Sequence, residues 1–361
     1  MKPIRVLVDS FADEDALNAQ MSNAREIMSR LDPNRFHVST FVLGQPDPRL
    51  IQRPNTRLIT LPRRRQTPRI LAQFIGGKQD ILFYVKASPA ARMYLTFRPK
   101  RFDRRIVIGT VESQCDLRNE PTIKPELIRL WERTILRSDF LFSNSSSVRA
   151  SLEREYGLPS EIVPTGVDTK FFSPAWDRAV NPRVRVLFVG SLRPFKGPQL
   201  LIRAAAQFPT ADFVVVGEGI MAPELNEIVR RERLTNVQLT GALGASALRQ
   251  QYREADIFLF PSSWEGSPKV ISEAAACGLP VIARRDYRPE TVVDGRTGYL
   301  GDSDDELLEK LDKLIASPEL CREMGRASRA HIERFDWDPI TRRWEEIFVE
   351  LASKRESAAR L

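Results

Sequence analysis

The chain has 361 residues and a net charge of +8, and its composition of 42% hydrophobic and 28% charged residues is typical of globular proteins with about two domains at this length. Three cysteines without a Cys-x-x-Cys spacing and two histidines argue against a disulfide framework, a zinc site and a histidine-based metal centre. The sequence has no apolar run of the roughly 18 residues that span a membrane, and its first residues lack a signal-peptide core, so we expect a cytoplasmic protein.

Short apolar runs alternate with helical patterns in two series. The strand candidates are residues 4–8, 36–42, 80–85, 105–109 and 139–143, followed by 184–190, 212–217, 236–241, 256–260 and 279–283. Helical patterns at 18–31, 125–137, 198–207 and 244–253 lie between them. Apolar strands separated by helices predict parallel sheets covered on both faces. We therefore predict two doubly wound α/β domains, with the break near Pro164–Pro182.

Polar residues and glycines follow four consecutive strands of the second series. They are Ser191–Gly197, Glu218 with Gly219, Gly241, and Pro261–Gly266. Ligands of open parallel sheets bind at the carboxyl ends of the strands. The cluster predicts a ligand site there, although each glycine alone is also consistent with a simple turn.

Residues 262–282, SSWEGSPKVISEAAACGLPVI, place a glutamate on each side of a predicted helix start. The turn Gly266-Ser267-Pro268 precedes a helix that we expect from Lys269 to about Cys277, and the N-terminal end of such a helix favours anions. Glu265 lies before the helix and Glu273 about one turn inside it. A capping carboxylate for Glu265 and a solvated helix residue for Glu273 are the alternative interpretations.

Lys196 and Arg193 follow the first strand of the same series. Their charges suit a diphosphate, which they would stabilise as it leaves. Two surface cations on a loop are the alternative interpretation.

The order of these motifs resembles the donor-binding half of the family 4 glycosyltransferases, which have the GT-B fold. The residues that carry the resemblance are VGSLRPFKG (189–197), VVVGEG (214–219), NVQLTG (236–241), ADIFLFPSSWEGSPKVISEAAACGLPVIA (255–283) and PETVVDGRTGYL (289–300). IVPTGVDTKFFSP (162–174) is similar to the interdomain segment of that family, and FDWDPITRRWEEIF (335–348) to its closing helices. The motifs cover about 163–345, and the N-terminal half matches only in architecture.

The resemblance implies two Rossmann-like domains that face a central cleft. The N-terminal, acceptor-binding domain would comprise residues 1–168, and the nucleotide-sugar-binding domain residues 169–339. A C-terminal helix at about 340–361 would pack back on the first domain.

The resemblance also implies roles for single residues. Glu265 and Glu273 correspond to the family's Glu-x7-Glu motif: Glu273 would hold the ribose hydroxyls, and Glu265 would face the donor sugar near its anomeric carbon. Lys196, helped by Arg193, would bind the diphosphate. The amides of Ser267–Val270 would add to the anion site, and Glu218, Gly219 and Gly241 would lie beside the base. The donor-binding set is Glu273, Gly190, Ser191, Glu218, Gly219, Gly241, Gly266, Ser267, Pro268, Lys269 and Val270.

The chain departs from the family pattern at three places. Ser191 stands where many relatives have an arginine, the first loop (DSFADEDALNAQMSN, 9–23) is not glycine-rich, and no histidine follows the strand RIVIG. Asn18, Gln20 and Glu112 are candidates for the acceptor side. A helix N-terminus for Asn18 and Gln20, and a structural role for Glu112, are the alternative interpretations.

Two acidic stretches are not interpreted as metal sites. Asp13-Glu14-Asp15 lies in the first strand-to-helix loop, where acidic residues favour a helix start, and Ser303–Glu306 has the pattern of a capping box. We therefore expect neither a metal nor a cofactor, which agrees with the metal-independent chemistry of the family.

Basic residues are concentrated in the first half of the chain. Residues 51–105 contain 14 lysines and arginines against two acidic residues, including Arg63-Arg64-Arg65. A solvated basic face is one interpretation, and attraction to anionic lipid or to a phosphate-bearing acceptor is the other. The sequence has no recognition module for nucleic acid beside this charge.

These observations together predict a retaining, metal-independent glycosyltransferase that moves a sugar from a nucleoside diphosphate sugar to a glycan or lipid-linked acceptor. It would be cytoplasmic, with peripheral contact to the inner membrane face. The alternatives are a non-catalytic partner protein that binds a nucleotide-sugar, and a GT-B phosphorylase or sugar-nucleotide epimerase.

Overall fold

The computed structural model describes residues 2–15, 18–99, 103–116 and 123–358, apart from the side chains of 356–358. The chain divides into two compact units. Unit 1 contains the residues up to Thr165 together with those from Trp337 onward, and unit 2 contains Gly166–Asp336. The chain passes from unit 1 to unit 2 after Thr165 and back to unit 1 after Asp336, each time three residues before the predicted domain boundary.

Unit 1 is built on a seven-stranded parallel sheet of order β3-β2-β1-β4-β5-β6-β7. Its strands are β1 (Ile4–Phe11), β2 (Phe36–Val42), β3 (Thr56–Thr60), β4 (Ile81–Phe83), β5 (Ile106–Val111), β6 (Phe140–Ser143) and β7 (Glu161–Ile162). Its helices before the change of unit are α1 (Ala19–Arg30), α2 (Pro48–Gln52), α3 (Gln66–Gly76), α4 (Pro89–Phe97), α5 (Pro125–Glu132) and α6 (Ser146–Tyr156). Buried side chains lie on both faces of the sheet, as expected for a parallel sheet with helices on each side.

Unit 2 is built on a six-stranded parallel sheet of order β10-β9-β8-β11-β12-β13. Its strands are β8 (Arg185–Val189), β9 (Asp212–Val216), β10 (Val237–Gly241), β11 (Ile257–Phe260), β12 (Val281–Arg284) and β13 (Gly298–Gly301). Its helices are α7 (Gln199–Gln207), α8 (Ala222–Arg231), α9 (Ala245–Glu254), α10 (Lys269–Ala276), α11 (Asp304–Ile315) and α12 (Pro318–Ile332). Its central strands are almost wholly buried, which explains their continuous apolar sequences.

The last helix, α13 (Trp337–Ala358), returns to unit 1. The ring of Trp344 lies 4.7 Å from that of Phe83 and 5.0 Å from that of Phe142, and Phe348 packs 5.0 Å from Phe83, all between centroids. Unit 1 therefore takes part of its core from the end of the chain. Among the described helices, none combines the length and the apolar character needed to cross a bilayer.

All ten predicted strands are present, with ends shifted by up to three residues, and three others were missed. β3 (TRLIT) mixes exposed and partly buried residues, β7 is only two residues long, and β13 (GYLG) begins and ends with glycine, so none has a continuous apolar run. The helix predicted at 125–137 ends at Glu132 and is followed by a 3₁₀ turn at Ile135–Arg137. There the Thr134 hydroxyl donates to the Leu130 carbonyl at 2.6 Å, a local bond that competes with the helix.

The strand order reverses direction at one place in each sheet. In unit 1 this is between β1 and β4, and in unit 2 between β8 and β11. Open α/β sheets bind ligands beyond the carboxyl ends of the strands at such a point. The loops after these four strands are therefore the first places to look for a site.

Candidate donor-binding site

The loops after β8 and β11 bring together two residues that are 69 positions apart in the chain. The ammonium of Lys196 forms an ion pair with the Glu265 carboxylate, and the Ser262 hydroxyl donates to the same carboxylate oxygen at 2.6 Å. Lys196 and Glu265 are both partly buried. The two predicted residues thus share one site at the switch point of unit 2, and the carboxylate balances the ammonium.

Aromatic rings and backbone bonds hold this ion pair in place. The Lys196 ammonium lies 5.3 Å from the ring centroid of Phe195 and 5.5 Å from that of Phe260, within the range of cation–π attraction. The Ser263 amide donates to the Phe195 carbonyl at 2.9 Å. Gly197, with φ of 65°, lies so close to this loop that a Cβ would be 3.0 Å from the Pro261 carbonyl oxygen. A fixed loop of this kind presents its charges without further ordering.

The N-terminal end of α10 follows Glu265 directly. Pro268 is the N-cap residue of α10, and its own side chain forms no capping hydrogen bond. Glu265 is not the N-cap residue of this helix, and its carboxylate pairs with Lys196. Pro268 has no amide hydrogen, so of the four residues predicted to line the anion site only Ser267, Lys269 and Val270 have an N–H to offer. The positive end of the helix dipole favours an anion at this position.

Glu273 lies one turn further along α10 and is partly buried, so its interpretation as a solvated helix residue is wrong. The Tyr252 hydroxyl of α9 donates to its carboxylate at 3.0 Å. Burial raises the pKa of Glu273, while the bond from Tyr252 and the charge of Lys269 act in the opposite direction. A single neutral donor leaves the carboxylate with further lone pairs to accept from a ligand's hydroxyls.

The ends of β8, β9 and β10 are joined to one another by hydrogen bonds. The Leu192 amide donates to the Glu218 carbonyl at 2.8 Å, and the Gly217 amide to the Gly241 carbonyl at 2.9 Å. The Ala242 amide reaches the Glu218 carboxylate at 3.5 Å. The remaining predicted residues here are Gly190, Ser191, Arg193 and Gly219, of which the last three are exposed. The four loops predicted from the sequence are thus neighbours, in the sheet order β10-β9-β8-β11.

The sequence analysis missed Tyr252 and Tyr287 of this site, and it placed Ser262 in the cluster after β11 without giving it a role. Ser262 and Tyr252 each donate to one of the two glutamates. The Tyr287 hydroxyl, after β12, is buried; burial raises its pKa, and the nearby charge of Glu265 raises it further. Among the described residues the Tyr287 hydroxyl has no hydrogen-bond partner. The only sequence signal for Ser262 and Tyr287 was their place after a buried strand, and Tyr252 had none, because it lies near the end of a helix.

The acceptor-side candidates belong to unit 1 and differ in their surroundings. Asn18 is the N-cap of α1 and accepts from the Met21 amide at 2.9 Å, while Gln20 is exposed on the first turn. Glu112, after β5, accepts from the Tyr84 hydroxyl and, at 3.2 Å, from the Asn23 side chain. Tyr84 has an unusual φ of 62°, which aims its side chain from the end of β4. Glu112 is the acidic member of the three candidates, and the buried Tyr84 and Asn23 donate to different oxygens of its carboxylate.

The two acidic stretches have structural partners. Asp13 does not lie at a helix start, because α1 begins only at Ala19 and has no acidic residue in its first turn. The Asp13 carboxylate instead accepts from the amides of Leu43 and Gly44. Ser303 caps α11 by accepting from the Glu306 amide at 3.1 Å, as predicted. Within the described residues, no cluster of three or more histidine, cysteine or acidic side chains has metal-site geometry.

Residues 175–331 match the family model described as glycosyl transferases group 1. A D-inositol 3-phosphate glycosyltransferase of Segniliparus rotundus is 34% identical over 228 residues, which are 56% of this chain and 50% of that protein. The protein of the same name from Corynebacterium jeikeium is 31% identical over 257 residues, 63% of this chain and 61% of that protein. The chain thus spans between half and about three fifths of the length of these curated relatives.

Solved structures are similar over nearly the whole chain. A sucrose-phosphate synthase of Thermosynechococcus elongatus has a TM-score of 0.79 at 21% identity and covers 98% of this chain and 100% of its own. HepE of Anabaena, solved in complex with UDP and glucose, has a TM-score of 0.74 at 16% identity and covers 96% of this chain and 99% of its own. The likeness confirms the predicted GT-B fold of two Rossmann-like domains.

Proposed function

Because residues 175–331 match the family model of the group 1 glycosyl transferases, we propose that the chain is an enzyme that moves a sugar from a nucleoside diphosphate sugar to an acceptor. The single observation that carries this proposal is the Lys196–Glu265 pair beside the N-terminal end of α10. One cation, one carboxylate and a helix N-terminus at the switch point of a parallel sheet suit a diphosphate joined to a polyhydroxyl group.

Each part of the donor has a matching part of the site. The Lys196 ammonium and the amides of Ser267, Lys269 and Val270 would bind the diphosphate, with Arg193 as an exposed helper. The Glu273 carboxylate would accept from the vicinal hydroxyls of the ribose, and Glu218, Gly219 and Gly241 would lie beside the base. Binding of the diphosphate would draw Lys196 from Glu265 and leave that carboxylate to face the sugar. Gly190, Ser191 and Gly266 shape the loops around the donor.

We propose a retaining reaction that needs no metal. The acceptor oxygen attacks the anomeric carbon from the face that the diphosphate leaves, so the new glycosidic bond forms as the bond to the phosphate oxygen breaks. The acceptor's proton passes to the departing phosphate. Lys196 and the helix N-terminus would offset the charge that develops there; removing one such donor typically costs about 2.7–4 kcal/mol of transition-state stabilisation.

Unit 1 would bind the acceptor, and Glu112 is its best-supported residue because Tyr84 and Asn23 fix both of its oxygens. Asn18 is a weaker candidate, since its side-chain oxygen already caps α1. We propose a glycan or lipid-linked acceptor at the cytoplasmic face of an anionic membrane, which the basic segment 51–105 would contact. The structural neighbour HepE was solved with UDP, so uridine is the first base to test.

The test is a thermal-shift screen with UDP-, GDP-, ADP- and TDP-sugars without added metal. One nucleotide series should stabilise the wild type, and Glu273→Ala should lose the shift because the ribose loses its acceptor. Glu265→Gln should keep the shift but lower turnover about 100-fold or more, since an amide retains the bond from Ser262 but not the charge.

Equal loss of nucleotide affinity in both variants would contradict this division of roles. A shift without turnover on any acceptor would instead favour the non-catalytic partner protein. Turnover with inorganic phosphate or epimerised donor would indicate the phosphorylase or epimerase alternative.

A further inference from the structure

Helices α3 and α4 of unit 1 form an exposed surface with an unusual number of large apolar side chains. The helices pack together through Phe74 and Tyr94, whose ring centroids are 5.6 Å apart. Next to this contact, Ile75 is 61% and Met93 is 42% exposed, and Phe97, one turn beyond Met93, is 80% exposed. Of nine exposed large apolar side chains among the described residues, these three lie on one pair of helices. Such grouping marks an interaction surface rather than the scattered exposure of ordinary surfaces.

Among the described residues of these two helices and of the loops after them, the exposed charged side chains are all basic. Arg69, Arg92, Lys78 and Arg104 are exposed, and within the described part of the chain none of them forms an ion pair. We call these four cations together with Ile75, Met93 and Phe97 the α3–α4 surface.

The two acidic residues of segment 51–105 do not neutralise this surface. Asp80 is bound by Arg5 at 3.0 Å and by Arg355 at 3.1 Å. Asp103 is bound by Arg105 at 2.6 Å and accepts from the Tyr94 hydroxyl at 2.7 Å. Lys100, Arg101 and Phe102 lie outside the described residues.

A cavity of about 360 Å³ opens beside the C-terminal end of α3. Its lining includes Arg57, Lys78, His37 and the amide side chains of Gln73 and Gln79, and it contains no acidic residue. Lys78 belongs both to this cavity and to the α3–α4 surface, so the two basic regions adjoin at this residue.

We propose that the α3–α4 surface docks the protein on an anionic lipid bilayer. Phe97, Met93 and Ile75 enter the boundary between headgroups and acyl chains, and the four cations lie at the level of the anionic headgroups. Apolar insertion and a basic patch are each weak anchors, and reversible membrane binding generally combines two such signals. The exposed phenylalanine distinguishes this partner from a nucleic acid or an acidic protein, for which the cations alone would suffice. The docking is independent of the donor site in unit 2 and does not depend on the reaction proposed for it.

The experiment is sedimentation of the full chain with vesicles of phosphatidylcholine alone and of phosphatidylcholine and phosphatidylglycerol in equal parts. The wild type should bind only the anionic vesicles. Phe97→Ser should lower the partition coefficient about tenfold through lost apolar burial. The double variant Lys78→Gln/Arg92→Gln should lower it about fivefold per charge.

Matched controls come from the nearly neutral unit 2. Ile220 is 79% exposed, so Ile220→Ser removes an equally exposed apolar side chain elsewhere. Arg322 and Arg326 are exposed on α12, so Arg322→Gln/Arg326→Gln removes the same charge. Both controls should bind like the wild type, and all variants should keep the wild-type thermal midpoint without vesicles, because every changed side chain is exposed.

No preference for anionic vesicles, or equal loss in the controls, would overturn the proposal. Wild-type binding by Phe97→Ser, together with loss in Lys78→Gln/Arg92→Gln and binding of a soluble polyanion such as heparin, would show a polyanion site instead of a membrane surface and would also overturn it.

Discussion

Asp9 is a carboxylic acid buried at the carboxyl end of β1, at the switch point of unit 1. Burial raises its pKa from 3.8 to about 6, although the amide and the charge of Lys86 act in the opposite direction. The Lys86 amide donates to Asp9 at 2.9 Å, and the Lys86 ammonium lies 4.4 Å from the ring centroid of Phe11. Burial also lowers the pKa of Lys86, which Asp9 and Asp13 partly offset. This charged pair was not found in the sequence, because its members are 77 residues apart.

The raised pKa makes the stability of the fold depend on pH in a defined direction. Between pH 3.8 and about 6 the folded protein keeps a proton on Asp9 that the unfolded chain has lost, so the contribution of Asp9 to stability falls as the pH rises. Asp9→Asn keeps an acceptor for the Lys86 amide but does not titrate. The unfolding free energy of the wild type relative to this variant should therefore fall by about 3 kcal/mol across the window, as measured by urea unfolding.

Asp80, also in unit 1, is a control in which the pKa shift has the opposite direction. Against the cost of burial, Arg5 and Arg355 lower the pKa of Asp80, so its contribution is lost as the pH falls. The wild type relative to Asp80→Asn should show the opposite slope. Parallel unfolding curves for the wild type and Asp9→Asn would mean that Asp9 ionises normally in the folded protein.

At the scale of elements, the proposed donor site depends on how closely the ends of neighbouring strands approach. Gly217 after β9 has a φ of 140°, and a Cβ there would lie 1.9 Å from the Gly190 carbonyl oxygen at the end of β8. The Gly190 amide in turn donates to the Val216 carbonyl at 3.0 Å. Only glycine fits this approach, so the loops that carry Ser191 and Glu218 can be neighbours.

Gly217→Ala should push these two strand ends apart. We expect a loss of about 1–3 kcal/mol in unfolding free energy from the strained backbone, together with loss of the thermal shift by the donor nucleotide. Gly244→Ala is the matched control, because nothing lies within 4 Å of a Cβ there and its φ is negative. A Gly217→Ala variant that binds the nucleotide like the Gly244→Ala control would show that the close approach is not needed for binding.

At the scale of the whole molecule, unit 1 is discontinuous in the chain. Seven residues of α13 are buried in its core, among them Trp344, Phe348 and Leu351. Each fully buried large apolar side chain contributes about 1.5–3 kcal/mol, so together they match the stability of an ordinary domain. Unit 2, in contrast, has its own core within Gly166–Asp336.

A chain that ends at Asp336 should therefore keep unit 2 and lose unit 1. Limited proteolysis should degrade residues before Thr165, while a thermal shift with the donor nucleotide persists because the proposed donor residues all lie in unit 2. Protection of the N-terminal half against protease in the shortened chain would contradict the structural role assigned to α13.

Much of the fold, and the placement of the proposed donor-binding residues at neighbouring strand ends, were predictable because they depend on local patterns. Buried parallel strands have continuous apolar sequences, the turn before Lys269 indicates the start of α10, and glycines follow the strands. The order of these motifs along the chain resembles one family, whose model matches residues 175–331. Residues with only a local role, such as the Ser303 cap, were predicted for the same reason.

The tertiary structure alone decided which side chains meet. Lys196 and Glu265 were both predicted, but their ion pair depends on β8 lying beside β11, and the bond from Tyr252 to Glu273 depends on α9 packing beside α10. Likewise, the excess of arginines in 51–105 was visible in the sequence, whereas the pairing of Asp80 and Asp103 and the exposure of Phe97 were not. A sequence records the period and burial of each segment, and contacts between distant segments arise only when strand order and helix packing bring them together.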